Sequence, residues 1–282
     1  MDNWHLKQIP SILHTYWGGG HMMYIRYLTL KTFIDQNPDW QVYLWYPKKH
    51  YVGQPSWNYM PGMPKINEVQ IKNYWPEALK LNLTAKEINF DELGFRENTP
   101  EVHKADYMRI NCLYQVGGVW SDMDIIYFAP ITKLLVNRPE YKDKETFVCI
   151  SPHYGHSTGF NMAVPKNQFF GILSGLFNQN YDPHGYQCWG PDIFNKYFKS
   201  LASVPSGADI GMDAVYAHDC HHVTELLETN APRFTKDSIG CHWYGGHVMW
   251  VKFFNETFGG ERNLKNNIIG NIIKNASKNF TL

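Results

Sequence analysis

The sequence predicts an α/β fold that starts with a parallel sheet. Three observations predict it: a strand–helix–strand pattern over residues 9–45, a helix punctuated at both ends over residues 99–118, and a 44% hydrophobic composition. Parallel strands need a crossover, and a helix between two apolar strands supplies one. At 282 residues the chain is long enough to bury a large core, and it is expected to form a single domain over residues 1–282.

Residues 9–17 are the first strand and run into Gly18-Gly19-Gly20. Residues 21–36 place Met22, Ile25, Leu28 and Phe33 near helical spacing, and Asn37-Pro38-Asp39 stops that helix. Residues 40–45 are aromatic and β-branched, as a second strand should be. Residues 51–76 carry Pro55, Pro61, Pro64 and Pro76 and read as an irregular excursion. A helix follows, with Thr99 as N-cap, Pro100 at its first position and Glu101 in its first turn. Val102, Ala105, Met108, Cys112 and Val116 form its apolar stripe, and Gly117-Gly118 ends it. Residues 119–130 are a strand entering or leaving a turn, and residues 147–150 are another short strand. From residue 151 to 250 the periodicity is weaker. In the tail, Leu264, Ile268, Ile269, Ile272 and Ile273 share one face, expected to pack on the domain in preference to lying on a membrane surface.

Composition excludes several classes. Lys+Arg 26 balances Asp+Glu 26, so the basic excess of a nucleic-acid binder is absent. No apolar run approaches the roughly 18 residues of a membrane span. The first residues lack the basic-then-apolar order of a signal peptide, so the chain is expected to be cytoplasmic, with peripheral membrane contact through the tail as the alternative. Cys112, Cys149, Cys188, Cys220 and Cys241 have no CxxC spacing and read as buried free thiols. The 16% aromatic content fits a bulky core or the flat walls of a sugar or nucleobase site.

The sharpest local feature is Asp122-Met123-Asp124, just beyond the Gly-Gly helix stop. In extended chain, residues i and i+2 point to one side, so two carboxylates there make a compact hard-oxygen site for Mn²⁺ or Mg²⁺ carrying a diphosphate. Asp106 and Arg109 share a face of the preceding helix, with His103 one turn earlier. The short connection keeps them near the acids. His218-Asp219-Cys220-His221-His222 looks like a metal cluster, but neighbours on one segment rarely all reach one ion, and a polar loop is the expectation.

The stretch from Ala105-Asp106-Tyr107-Met108-Arg109 to Gly117-Gly118-Val119-Trp120-Ser121-Asp122-Met123-Asp124 resembles the central signature of the DXD sugar-binding glycosyltransferases, grouped as glycosyltransferase family 32. These include initiating α-1,6-mannosyltransferases, capsule enzymes and α-1,4-galactosyltransferases. Ile9-Pro10 through His14 to Trp17 is similar to the family's N-terminal strand, and Cys241-His242-Trp243 to its C-terminal region. Trp120-Ser121 departs from the usual aromatic-then-Leu pair, and the C-terminal Ser-Trp ending is missing.

The resemblance implies a GT-A fold, with a Rossmann-like nucleotide half, a mixed sheet and an acceptor half. It implies a hexosyltransferase of polysaccharide biosynthesis that uses a UDP- or GDP-sugar donor, a glycan acceptor and Mn²⁺ or Mg²⁺, with retention of anomeric configuration. Trp17 would face the nucleobase, Asp106 and Arg109 the donor sugar, Asp122 ribose, sugar or metal, and Asp124 the metal. His242 is the first candidate for a third protein ligand and His247 the second. From their residue types, Ser157-Thr158-Gly159-Phe160-Asn161 read equally as a lining of the donor sugar or as a strand-flanking turn, and Trp57 and Tyr59 read as part of a packed loop in preference to a stacking face for an acceptor sugar. Gly190-Pro191-Asp192 is either an acceptor-side turn or a helix start. The alternatives are a metal-dependent phosphohydrolase and an inactive sugar-binding relative.

Overall fold

Strand β1 (Ile12–Tyr16) lies inside the sheet, flanked in parallel by β2 (Gln41–Pro47) and β4 (Gly118–Ser121). The computed structural model describes residues 9–50, 66–67, 70–136, 138–182 and 185–276. Strand β3 (Thr84–Ile88) adds in parallel to β2, and was not expected from the sequence. Its residues are largely exposed, so it lacks the apolar signature of a central strand. Beyond β4 the sheet turns antiparallel through β7 (Gly155–Ala163), which pairs with β6 (Thr146–Ser151); β8 (Gly207–Asp209) closes the edge. The seven-stranded order is β3-β2-β1-β4-β7-β6-β8, with a separate ribbon of β5 (Ile125–Tyr127) and β9 (Gly240–His242). This is the mixed α/β class expected from the sequence.

The longer helices are α1 (Tyr24–Gln36), α2 (Glu101–Gln115), α3 (Gln168–Leu176), α4 (Pro191–Tyr197), α5 (Trp250–Thr257) and α6 (Ile268–Ala276). Strand side chains alternate between two cores. Phe147 and Cys149 join the one packed under α1, whereas Val148 between them joins the one under α2 and α3. A third core holds the other side of α1 with Trp243, α5 and α6.

Helix α2 begins one residue later than expected. Pro100 occupies the cap position, and no side chain caps that end, so Thr99 is not the N-cap. At its other end Gly117 and Gly118 have φ of +71° and +98°. A Cβ on Gly117 would lie 2.6 Å from Pro165 N, and one on Gly118 would lie 2.5 Å from Ile12 O. Both the conformation and the close approach require glycine, and together they turn the chain from α2 into β4. His14 ties this junction to the sheet: its Nε2 meets Gly117 O at 3.1 Å and its Nδ1 accepts from Trp45 Nε1 at 3.2 Å. Burial lowers its pKa to about 4, so the ring is neutral.

The tail packs. Ile268, Ile269, Ile272 and Ile273 are all buried in the third core, which removes the apolar face that a membrane-surface helix would need. Ile269→Ala is therefore expected to lower stability by about 2–5 kcal/mol in denaturant titration, while the intact protein leaves anionic liposomes unbound. Among the described residues no helix is long and apolar enough to cross a membrane. Cys220 is exposed, unlike the other four cysteines, and none is paired.

Candidate functional site

The carboxylates of Asp122 and Asp124 sit in a turn between β4 and β5, not on one strand. Met123 between them is buried in the core, which anchors the turn. Their convergence comes from a third element. Strand β9 pairs antiparallel to β5 with Ile125 opposite His242, and this register delivers the imidazole to the acids. Ligand atoms of Asp122, Asp124 and His242 lie within 4.8 Å of one another. This is the one such group of three among the described residues.

Each carboxylate is held on one oxygen. Asp122 Oδ1 accepts from Arg109 Nη2 at 3.0 Å and from Trp120 Nε1 at 2.7 Å. Asp124 Oδ2 accepts from Gly245 N at 2.8 Å and lies 3.7 Å from Arg26 Nη1. Asp124 Oδ1 is buried and lies 3.1 Å from His242 Nε2 without a formed hydrogen bond. Burial would raise the Asp124 pKa, but His242, Arg26 and the Gly245 N–H together hold it well below the usual carboxylate range.

The remaining oxygens face a common space. A Cβ on Gly159 would lie 2.9 Å from Asp122 Oδ2, 2.9 Å from Tyr216 Oη and 3.2 Å from His242 Nε2. Glycine thus leaves a cradle that any side chain would fill. Two carboxylate oxygens and one imidazole nitrogen suit a divalent cation such as Mn²⁺ or Mg²⁺. Tyr244 N–H donates to His242 Nδ1 at 3.3 Å, so ligation by Nε2, which puts the imidazole proton on Nδ1, would break that long hydrogen bond.

Asp106 and Arg109 are not a surface ion pair: both are buried, at 3% and 4% exposure. Arg109 bonds Asp106 through Nη1 and Asp122 through Nη2, bridging helix α2 to the acid turn. Burial alone would lower its pKa, but Asp122 and Asp106 raise it above the ordinary arginine value, so it is a permanent cation. Asp106 Oδ2 is buried without a hydrogen-bond partner. Burial pushes the Asp106 carboxyl up to about 7 against the pull of Arg109, with the like charge of Asp122 adding.

That shift has a stability consequence. A carboxyl with a raised folded pKa binds its proton more tightly when folded. Its contribution is full below its ordinary value of 3.8 and is lost as pH rises through about 7. In EDTA, the wild-type Tm should fall more between pH 5 and pH 8 than that of Asp106→Asn. An equal decline in both proteins would show that this carboxyl titrates normally.

Several sequence candidates fall elsewhere. Trp17 is buried, donates Nε1–H to His21 O at 3.2 Å, and sets its ring 5.5 Å from the Arg26 guanidinium. Asn161 pairs opposite Trp120 and is 1% exposed, with Oδ1 unpartnered and no hydrogen bond to the acids. His247 is exposed and outside the group of converging ligand atoms, so His242 is the residue the fold brings to the acids. His218 pairs with Glu225 and His222 with Asp219, as a polar loop would. Pro191 opens helix α4, so Gly190-Pro191 is a helix start. Trp57 and Tyr59 lie outside the described residues.

Three contributors were missed. Arg26 lies within α1, where a cation among Met22, Ile25 and Leu28 was the available signal. Tyr216 and Tyr186 left no sequence signal. Tyr186 is 39% exposed, and its hydroxyl lies in the field of Asp124, Asp106 and Asp122.

A cavity of about 600 Å³ opens past the ends of β2 and β3, lined by Lys49, His50, Asn89, Arg96 and Lys104 among others. Open α/β sheets bind ligands at this carboxyl end of parallel strands. A larger cavity of about 770 Å³ along α5 is lined by none of the acid-cluster residues.

Residues 26–141 match the family described as "Glycosyltransferase sugar-binding region containing DXD motif". The match contains both the Asp106–Arg109 helix and the acid turn, and it supports a glycosyltransferase. No curated protein sequence matches the chain significantly. Among solved structures, the galactosyltransferase LgtC in complex with donor and acceptor sugar analogs is 15% identical, with 89% of this chain and 96% of that one covered and a TM-score of 0.46. The glycosyltransferase GlyE of Streptococcus pneumoniae is 13% identical at a TM-score of 0.48, covering 97% of this chain and 65% of that one. The PaToxG glycosyltransferase is 13% identical at 0.43, covering 70% and 74%. The chain's own topology has a parallel half from β3 to β4, the acid pair just past β4, and an antiparallel continuation through β7, a mixed sheet of the kind the GT-A expectation called for.

Proposed function

We propose that this chain is a single-domain, metal-dependent hexosyltransferase resembling glycosyltransferase family 32. It moves a sugar from a UDP- or GDP-sugar to a glycan acceptor with retention of anomeric configuration, in polysaccharide biosynthesis. The observation that carries this reading is the convergence of Asp122, Asp124 and His242 at 4.8 Å or less beside the buried Asp106–Arg109 pair.

A nucleoside diphosphate leaves poorly until its developing charge is neutralised, and a bound divalent cation supplies that without proton transfer. The chain's residues arrange the rest. Asp122, Asp124 and His242 would hold the cation, with Asp124 as a direct ligand. Asp106, with a free oxygen in a dry setting, would accept from a donor-sugar hydroxyl. Arg109 fixes Asp106 and Asp122 relative to one another.

A panel of nucleotide sugars with Mn²⁺, read by nucleotide release, tests the proposal. Slow hydrolysis of one donor is expected. Cleavage of many phosphate esters would instead indicate a phosphohydrolase, a reading nothing in the site favours, and inertness toward all donors would indicate a sugar-binding relative.

A further inference from the structure

We propose that Arg26 is a positioning residue that makes metal loading conditional on a bound diphosphate, so that metal and donor enter together. This rests on the metal-dependent transferase reading above.

The two acids of the DXD turn are already paired. Asp122 Oδ1 is 3.0 Å from Arg109 Nη2, and Asp124 Oδ2 is 3.7 Å from Arg26 Nη1. Without a ligand, three carboxylates, Asp106 included, face two guanidinium groups, and Arg26 is the arginine that offsets the charge of Asp124 where a divalent cation would be drawn in.

Arg26 cannot step aside. It is 4% exposed, its guanidinium carbon lies 4.5 Å from the Trp243 ring centroid and 5.5 Å from that of Trp17. The backbone closes the remaining side, since a Cβ on Gly245 would lie 2.2 Å from Arg26 Nη2. Two indole faces and a glycine backbone thus make it a fixed positive charge. At the effective dielectric of a protein site, a fixed like charge a few ångströms away costs a divalent cation at least about tenfold in affinity.

A nucleoside diphosphate reverses the balance by adding negative charge beside both arginines. Coupling between two ligands is reciprocal, so the metal tightens the diphosphate by the same factor. Arg26 is buried on helix α1 beside the fully buried apolar Ile25 and Leu28, so its charge is held against Asp124 at a desolvation cost. Replacing Arg26 alone leaves Asp124 uncompensated, so the variant is expected to melt lower while its free carboxylate draws in the cation.

The test is a Mn²⁺ titration of full-length wild type and Arg26→Met, followed by electron paramagnetic resonance of the free ion, alone and with UDP or GDP. Wild type should bind Mn²⁺ weakly alone and at least tenfold more tightly with one of the two nucleotides. Arg26→Met should bind Mn²⁺ alone at least tenfold more tightly than wild type, with a smaller effect of nucleotide. A merely structural role predicts loss of affinity, not gain. Should the Met variant fail to fold, Arg26→Gln gives the same reading. Equal or weaker Mn²⁺ binding by the folded variant overturns the role of Arg26 alone. Wild type that binds no Mn²⁺ under any condition overturns the metal-dependent reading together with it.

Discussion

Asp124→Asn is expected to lower turnover by at least about 100-fold, the scale of removing one preorganised electrostatic group. Asp124 is the more buried of the two acids in the turn. Gly245 N–H and Arg26 fix Oδ2, which leaves Oδ1 turned toward His242 Nε2. The amide keeps the shape but presents a weaker ligand, and it removes the charge that Arg26 pairs with. The variant should therefore also melt lower, because the buried guanidinium is left uncompensated. Steady-state turnover with and without EDTA checks the first effect and a thermal melt the second. Full activity of the variant in EDTA would sink the role given to this acid.

Arg109→Ala is expected to abolish transfer and to destabilise the protein as well. From sequence alone, an Asp and an Arg on one helix face look like a surface pair worth well under ~1 kcal/mol. The structure buries both and makes Arg109 the bridge between Asp106 and Asp122. Breaking a buried pair by removing one partner costs about 3–5 kcal/mol, because it strands the other charge. Arg109→Lys separates the two effects. It keeps the charge and should recover much of the melting temperature. A single ammonium cannot present two parallel donors to two carboxylates, so turnover should stay low. An alanine variant with unchanged melting temperature and turnover would show that the bridge is idle.

Much of the fold was legible because its signals are local. The β1–α1–β2 unit, the Gly-Gly stop and strand β6 follow from residue spacing, stiff β-branched and aromatic runs, and φ angles that only glycine tolerates. Strand β3 was missed because an exposed edge strand has no apolar code. The extent of the tail helix was overread, because the apolar spacing begins at Leu264 while the helix starts at Ile268. In the site, Asp106, Arg109, Asp122 and Asp124 were identified from one short stretch of chain. Arg26 was not, since its partner Asp124 is far away in sequence.

The sequence by itself determined the α/β class, the acid pair behind a glycine hinge and the helix pair before it. All of these are set within a few residues by propensity, sterics and charge. Only the tertiary structure decided that His242 and not His247 meets the acids. It also decided that Arg26 shares Asp124, and that Asp106 and Arg109 are dry. Each of those facts depends on which distant strand or helix packs where: β9 in register with β5, and α1 against Trp243. The energy of a charge depends on the water removed around it, and no local stretch of sequence records how much water the rest of the chain excludes.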